Sequence, residues 1–200
     1  MIYIVRHGQT AKNKAKVLQG RSDLPLNDAG RLQAKDLRAK LDAKGIRFDK
    51  VYTSPLVRAI ETAWILADDA PQVIDDRLIE LDYGPYEGMD LEHPAPEISF
   101  FFKDFIHNPA PKGVEPLSHV LERMTSFMED IRQEASDKTI LISTHAIAMK
   151  GALEALDPTA RGMYWAYYVK NCALFYSEPD TTGGWTKPVP LEEEGILGRI

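Results

Sequence analysis

Arg6, His7 and Gly8 stand together directly after an apolar run, Met1-Ile2-Tyr3-Ile4-Val5, and are followed by Gln9 and Thr10. The triplet joins a planar cation that matches phosphate oxygens, a nitrogen nucleophile, and a residue whose missing Cβ lets a ligand approach the main chain. Those are parts for attack on an anionic phosphate ester. Two more cationic or potentially cationic residues hold comparable places: Arg58, shortly after the β-favouring segment 49–53, and His145, after the apolar segment 138–143. A phosphoryl group in transfer carries charge on three equatorial oxygens, and donors fixed in advance around them stabilise it. Helices starting after residues 54 and 145, the second at Ala146, would add backbone N–H groups aimed the same way.

Each of these residues also has a structural reading. A histidine at a strand end can cap a helix or sit hydrogen-bonded in the core, and Arg6 could simply solvate the end of its strand. Arg58 resists that reading, because a cation in the first turn of a helix opposes the macrodipole unless an anion compensates it. The remaining histidines, His93, His107 and His119, show no compact ligand spacing with carboxylates, so no metal is expected.

The elements that must position these groups alternate between strand and helix. Residues 1–5 read as a buried strand, and 7–27, with Gly, Pro and many polar side chains, as a long loop over its end. Asn27 is a plausible N-cap for a helix from Asp28 to about Lys44, ended by Gly45, with Leu32, Leu37 and Leu41 as its apolar side. A second strand at 49–53 stops at Ser54-Pro55, a helix-start signal for Leu56 to about Asp69. Gln72–Asp75 suggests a short strand, 76–90 an irregular stretch, and 93–116 a short helix under a lid, its Phe100-Phe101-Phe102 cluster serving for packing.

Leu117, Val120, Leu121, Met124, Phe127, Met128 and Ile131 recur at the spacing of one helical face, predicting a helix over 117–135. A nearly continuous apolar strand at 138–143, a helix at 146–156 and a strand at 172–176 follow, and 177–200, with the acidic run Glu192-Glu193-Glu194, reads as a meandering tail. The alternation implies an α/β fold: a three-layer α/β/α sandwich with a mainly parallel central sheet, formed by one domain over 1–176. In such a sheet ligands bind past the carboxyl ends of the strands, where distant residues converge.

Composition narrows the partners. Two hundred residues with 44% hydrophobic content suffice for one sizeable core, and a net charge of -6 from 24 basic and 30 acidic residues shows no footprint for nucleic acid. No segment approaches the roughly 18 consecutive apolar residues of a membrane span. The apolar start is short for a signal peptide and precedes Arg6 instead of following a cation, and Cys172 is the only cysteine, so the cytoplasm is the expected compartment. The expected partner is a small phosphorylated substrate, with neither nucleic acid nor membrane; the oligomeric state is left open.

Taken in order, Arg6-His7-Gly8-Gln9-Thr10 with Asn13, Gln19-Gly20, Asp23-Leu24-Pro25-Leu26, Gly30, Gln33-Ala34, Ser54-Pro55-Leu56 with Arg58-Ala59 and Thr62-Ala63, Glu80 with Gly84 and Glu87-Gly88, and Thr144-His145 form one set. From residue 1 to about 176 this set resembles the histidine phosphatase superfamily, also called phosphoglycerate-mutase-like, in its small phosphatase branch. The resemblance implies a covalent phosphohistidine at His7, phosphate oxygens held by Arg6, Arg58 and His145, and a leaving oxygen protonated by Glu80, with no cofactor. On the residues alone Asp75, Asp76, Asp82 or Glu87 could equally be the acid. Asn13, Gln19, Gly20 and Ala146 complete the expected phosphate surroundings, the first three either touching phosphate or shaping the loop.

These roles are chemically coherent. An imidazole nitrogen attacks only when unprotonated, so His7 needs an orienting hydrogen bond on its other nitrogen, and the acid must hold its proton when substrate arrives. Three activities compete: hydrolysis of a small phosphomonoester, cofactor-dependent phosphoglycerate mutation, and non-catalytic binding of a phosphorylated ligand or protein. Residues 90–116 contain no arginine, unlike the insertion of glycolytic mutases with its paired arginines, which favours hydrolysis. Ala146-Ile147 after His145, Lys12 before Asn13 and Pro116 after Glu115 depart from the usual family residues and leave the substrate itself open.

Overall fold

In the computed structural model, which describes residues 1–192 and 196–199, the strand β1 (Ile2–Arg6) lies inside the sheet with its first four side chains buried. The two-residue period of a strand divides them: Ile2 and Ile4 enter one core, Tyr3 and Val5 the other. After it come α1 (Ala11–Lys14), α2 (Asp28–Ala43), β2 (Lys50–Thr53), α3 (Val57–Leu66), β3 (Gln72–Ile74), α4 (Pro96–Lys103) and α5 (Leu117–Asp137). Then follow β4 (Ile140–Thr144), α6 (Ala146–Leu156), β5 (Tyr167–Val169), β6 (Leu174–Ser177), β7 (Val189–Pro190) and β8 (Ile196–Arg199).

The central sheet has the order β3-β2-β4-β1-β6-β7; β3, β2, β4 and β1 are mutually parallel, and β6 and β7 are antiparallel additions. Val120, Met124, Phe127 and Ile131 of α5 and Ile147, Met149 and Leu153 of α6 cover one face. Leu37 and Leu41 of α2 and Ala63 and Leu66 of α3 cover the other, giving the expected three layers. Each fully buried side chain of this kind contributes about 2 kcal/mol, so both faces are needed to hold the sheet. No helix among the described residues is long and apolar enough to cross a membrane.

Register decides where the chemistry lies. Arg6 of β1 stands opposite Thr144 of β4, and Thr53 of β2 opposite Ser143, so these strands end together. The residues just beyond, His7, Ser54 and His145, therefore emerge at one sheet edge, with the His7 amide donating to Thr144 O at 2.9 Å and the Ser54 amide to Ser143 O at 3.0 Å.

Several local expectations change. Part of the 7–27 loop forms the single turn α1, closed by a reciprocal box between Thr10 and Asn13. On α2, Leu32 is 59% exposed; the buried stripe is Gly30, Ala34, Leu37 and Leu41. The reason is close packing at the helix start, where a Cβ on Gly30 would stand 2.1 Å from Gln9 O and one on Gly8 would stand 2.5 Å from Gly30 O. Two backbones thus touch where the loop leaves His7, and that contact fixes which side of α2 faces inward. Helix α3 starts at Val57 and ends at Leu66, short of Asp69: Ala67 leaves the helical region at φ -152, ψ 61, and Arg38 of α2 takes the Leu66 carbonyl at 3.1 Å.

The stretch 177–200 is not irregular throughout, since β7 pairs with β6 and β8 pairs with β5. Within its acidic run Glu193 and Glu194 lie outside the described residues.

Candidate active site

His7 is 3% exposed, and both ring nitrogens have partners that fix their state. Nδ1 lies 2.7 Å from Gly8 O, which can only accept, so Nδ1 carries the proton. Nε2 receives a hydrogen bond from Arg58 Nε at 3.2 Å, a group that can only donate, so Nε2 keeps its lone pair. Burial, and then the positive charges of Arg6 and Arg58, hold the imidazole pKa well below its usual value. The ring is neutral at pH 7, with Nε2 as the nucleophilic atom.

Arg58, from the first turn of α3, is 0% exposed. Its Nη1 donates to Ser22 O at 2.8 Å and its Nη2 to Gly20 O at 2.6 Å, so one guanidinium both faces His7 and ties down the 20–22 loop. Burial pulls its pKa down to about 10, which still leaves it charged. Arg6 donates through Nη1 to Val169 O, while its buried Nε has no partner among the described residues. Among the described residues neither guanidinium has a carboxylate within 4 Å. Two cations left without a counter-ion around an unprotonated nitrogen form a site for an anion.

His145 lies beside His7, with ring centroids 5.1 Å apart, and its Nε2 is 2.7 Å from Ser54 Oγ. Its Nδ1 is buried without a partner among the described residues, and burial followed by the charges of Arg58, His7 and Arg6 holds its pKa well below the usual value. Both imidazoles are thus neutral in the folded protein, whereas in the unfolded chain each takes a proton as pH falls through about 6.5. The stability this contributes is fully present above that value and is lost as pH falls below it toward the native pKa values, by up to about 1.4 kcal/mol per pH unit for each ring. Thermal unfolding at pH 7.5 and 5.0 checks this: the midpoint falls on acidification, and the fall is smaller in His145→Gln.

Glu80 is 4% exposed and occupies an unforeseen seat. Its Oε1 accepts from the amides of Leu81 at 2.9 Å, Ile147 at 3.1 Å and Ala148 at 3.1 Å, so the carboxylate sits on the N-terminus of α6. The expectation that this terminus is free to hold phosphate needs correction, since Glu80 takes two of its amides; Ala146 lines the adjoining cavity. Thr144 Oγ1 donates to Leu78 O at 2.7 Å, fastening the segment that carries Glu80 to the end of β4. Of the other candidate acids, Asp75 pairs with Arg77, Asp82 with Arg21 and Glu87 with Lys12, while Asp76 is exposed.

Of the loop residues, Asn13 lines the cavity, its Oδ1 accepting from Thr10 N at 3.2 Å and from Asn171 Nδ2 at 3.3 Å. Gln19 and Gly20 are turned to bracing. Gln19 Oε1 accepts from Thr10 Oγ1 at 2.6 Å, while Gly20 gives its amide to Glu87 and its carbonyl to Arg58. The cavity, about 450 Å³, runs from Arg6, Asn13 and Ala146 to walls formed by Tyr83, Phe102, Phe105 and Val169. Of the clustered phenylalanines, Phe101 packs in the core as expected, whereas Phe102 faces the cavity and Phe100 is exposed.

Two contributors escaped the sequence reading: Asn171 donates to His7 O at 3.0 Å, and Lys150 lines the cavity. Thr62, named in the ordered set without a role of its own, accepts the Gly8 amide through Oγ1 at 3.1 Å. For Lys150 a signal was available, a cation inside the otherwise apolar stretch Ala146-Ile147-Ala148-Met149 to Leu156 interrupted only by Glu154.

The model of the histidine phosphatase superfamily, branch 1, matches residues 2–188. Phosphoglycerate mutase-like protein 4 of Arabidopsis thaliana is 32% identical, over 98% of this chain and 89% of that protein. Phosphoserine phosphatase 1 of Hydrogenobacter thermophilus is 28% identical, over 86% of this chain and 83% of that protein. Among solved structures, Bacillus stearothermophilus YhfR superposes with a TM-score of 0.82 at 28% identity, covering 100% of this chain and 96% of that one.

Proposed function

The chain belongs to the histidine phosphatase superfamily, branch 1, and is a phosphatase; on that premise we propose that it hydrolyses a small phosphomonoester by way of a phosphohistidine on His7 Nε2. The observation that carries this reading is the lone pair of Nε2, faced by Arg58 and set among cations that have no carboxylate partner among the described residues. Phosphate oxygens engage the Nε of Arg6 and the Nδ1 of His145, which have no partner among the described residues, and the Arg58 Nε that His7 releases as it turns to phosphorus, Arg58 keeping its contacts to Ser22 and Gly20.

In the first step Nε2 bonds to phosphorus as the ester P–O bond breaks, and the leaving oxygen takes a proton from Glu80, which enters this step as the carboxylic acid with its proton on Oε2 while Oε1 stays on the amides of Leu81, Ile147 and Ala148. In the second a water attacks phosphorus, returns a proton to the Glu80 carboxylate, and the N–P bond breaks to release phosphate. Arginine and histidine side chains balance the oxygens throughout, so this scheme calls for neither metal nor cofactor.

The Glu80 step gives a distinctive expectation. Glu80→Gln lowers kcat for alkyl phosphates by about 10²–10⁴-fold, the range for a lost general acid. An aryl phosphate with a good leaving group loses far less, because its phenolate needs little protonation. Equal losses for both ester classes would remove the acid from Glu80.

Hydrolysis and mutation are separated by supplying 3-phosphoglycerate with a trace of 2,3-bisphosphoglycerate. Stoichiometric inorganic phosphate is the expected product; rapid formation of 2-phosphoglycerate without phosphate release would overturn the reading.

A further inference from the structure

Ser54 stands before Pro55 as part of a helix-start signal, yet its side chain belongs to the site. It directly follows β2, is fully buried, and its Oγ lies 2.7 Å from His145 Nε2. Among the described residues that hydroxyl meets one other group, the Leu56 amide at 3.3 Å. An amide N–H can only donate, so it occupies a lone pair of Oγ and leaves the Ser54 proton for the imidazole.

His145 is fully buried as well, and its Nδ1 has no partner among the described residues. A neutral imidazole carries one ring proton, and two placements are open to it. With the proton on Nε2, that N–H points at Ser54 Oγ, and both the Ser54 O–H and the Nδ1 lone pair are buried unpaired. With the proton on Nδ1, Leu56 donates to Ser54 and Ser54 donates to Nε2, so that only the Nδ1–H waits for an acceptor. Buried polar groups left unpaired are costly, and the count selects the second arrangement.

We propose that Ser54 is a positioning residue: by donating to Nε2 it keeps the His145 proton on Nδ1, where that proton meets a phosphate oxygen. What the proton meets rests on the phosphatase reading above; where it sits does not. A lone pair at Nδ1 would repel that oxygen instead of binding it. His7 carries its proton on the same ring atom for the opposite purpose, since Gly8 O takes the Nδ1 proton and Nε2 is left bare for phosphorus. The two rings, with centroids 5.1 Å apart, thus present a lone pair and a proton to one ligand.

The test is nitrogen NMR at pH 7.5 on protein with isotopically labelled histidine, because protonated and bare ring nitrogens resonate far apart. The signals of His145 are identified by their loss in His145→Gln. Wild-type protein is expected to show a protonated Nδ1 and a bare Nε2 at His145, and Ser54→Ala to move the proton to Nε2, the form that free histidine prefers. In the same variant kcat/KM for an aryl phosphate falls about 10- to 100-fold, the value of a hydrogen bond to a charged group, while the His7 signals keep their places. A wild-type proton on Nε2, which no folding defect of a variant can imitate, overturns the proposal. So does a Ser54→Ala protein in which His145 is unchanged and His7, the partner of Arg58, is disturbed, the mark of a role confined to seating the start of α3. Failure of the wild-type protein to release phosphate from the aryl ester, with the proton found on Nδ1, would instead overturn the phosphatase reading and leave the hold of Ser54 on His145 standing.

Discussion

Replacing His7 with alanine reduces phosphate release by about 10⁴-fold or more while the protein stays folded and still binds phosphate, the pattern left when a nucleophile alone is removed. The size follows from the absence of a second unprotonated nitrogen poised in the same way: His145 directs Nε2 at Ser54 and is fixed at the start of α6. The retained binding follows from Arg58, whose two loop contacts to Ser22 and Gly20 do not depend on the imidazole. Removing His7 frees Arg58 Nε for an oxygen of the ligand. Initial rates, a circular dichroism melt and titration with inorganic phosphate check the three parts together; a variant within tenfold of wild type would contradict the assignment.

Arg58→Ala carries the next largest effect, about 10³–10⁵-fold in kcat/KM, as expected for a guanidinium that neutralises charge in phosphoryl transfer. Unlike the first variant it also loses stability. The side chain is 0% exposed, and its removal leaves a cavity and strands the carbonyls of Gly20 and Ser22. Such losses cost about 2–4 kcal/mol together, after allowing for relief of a buried charge. Lysine does not rescue it, because three donors in a fixed plane meet His7, Gly20 and Ser22, and an ammonium cannot reproduce that fork. Kinetics with a thermal melt measure both effects, and full activity in Arg58→Lys would contradict the geometry.

The legible parts of the molecule were those set by local rules. Asn27 caps α2 through Gly30 N at 2.8 Å, Gly45 beyond it takes φ +69, and the regular apolar spacing after Pro116 becomes α5. Parallel pairing then made the meeting of Arg6, His7, Arg58 and His145 foreseeable, because strands in register end at one edge.

What stayed hidden depends on contacts distant in sequence. Glu80 is seated on α6 by amides 67 and 68 residues away, which no spacing reveals. Leu32 has the period of a core residue yet turns outward, because the backbone contact between Gly8 and Gly30 sets the roll of the helix. Gln19 and Gly20 show the converse: residues of suitable type in the right loop, with polar groups taken by Thr10, Glu87 and Arg58. Strand β5 has three residues, and its pairing with β8 lies beyond the reach of periodicity.

The most direct measurement is acid-free, rapid quenching of turnover with a radiolabelled phosphomonoester, followed by mapping of the bound label. The account predicts an alkali-stable, acid-labile phosphoryl group on His7 that forms within one turnover, decays with phosphate release and is missing from His7→Ala. Turnover that proceeds with no such label, or with the label on another side chain, would contradict it.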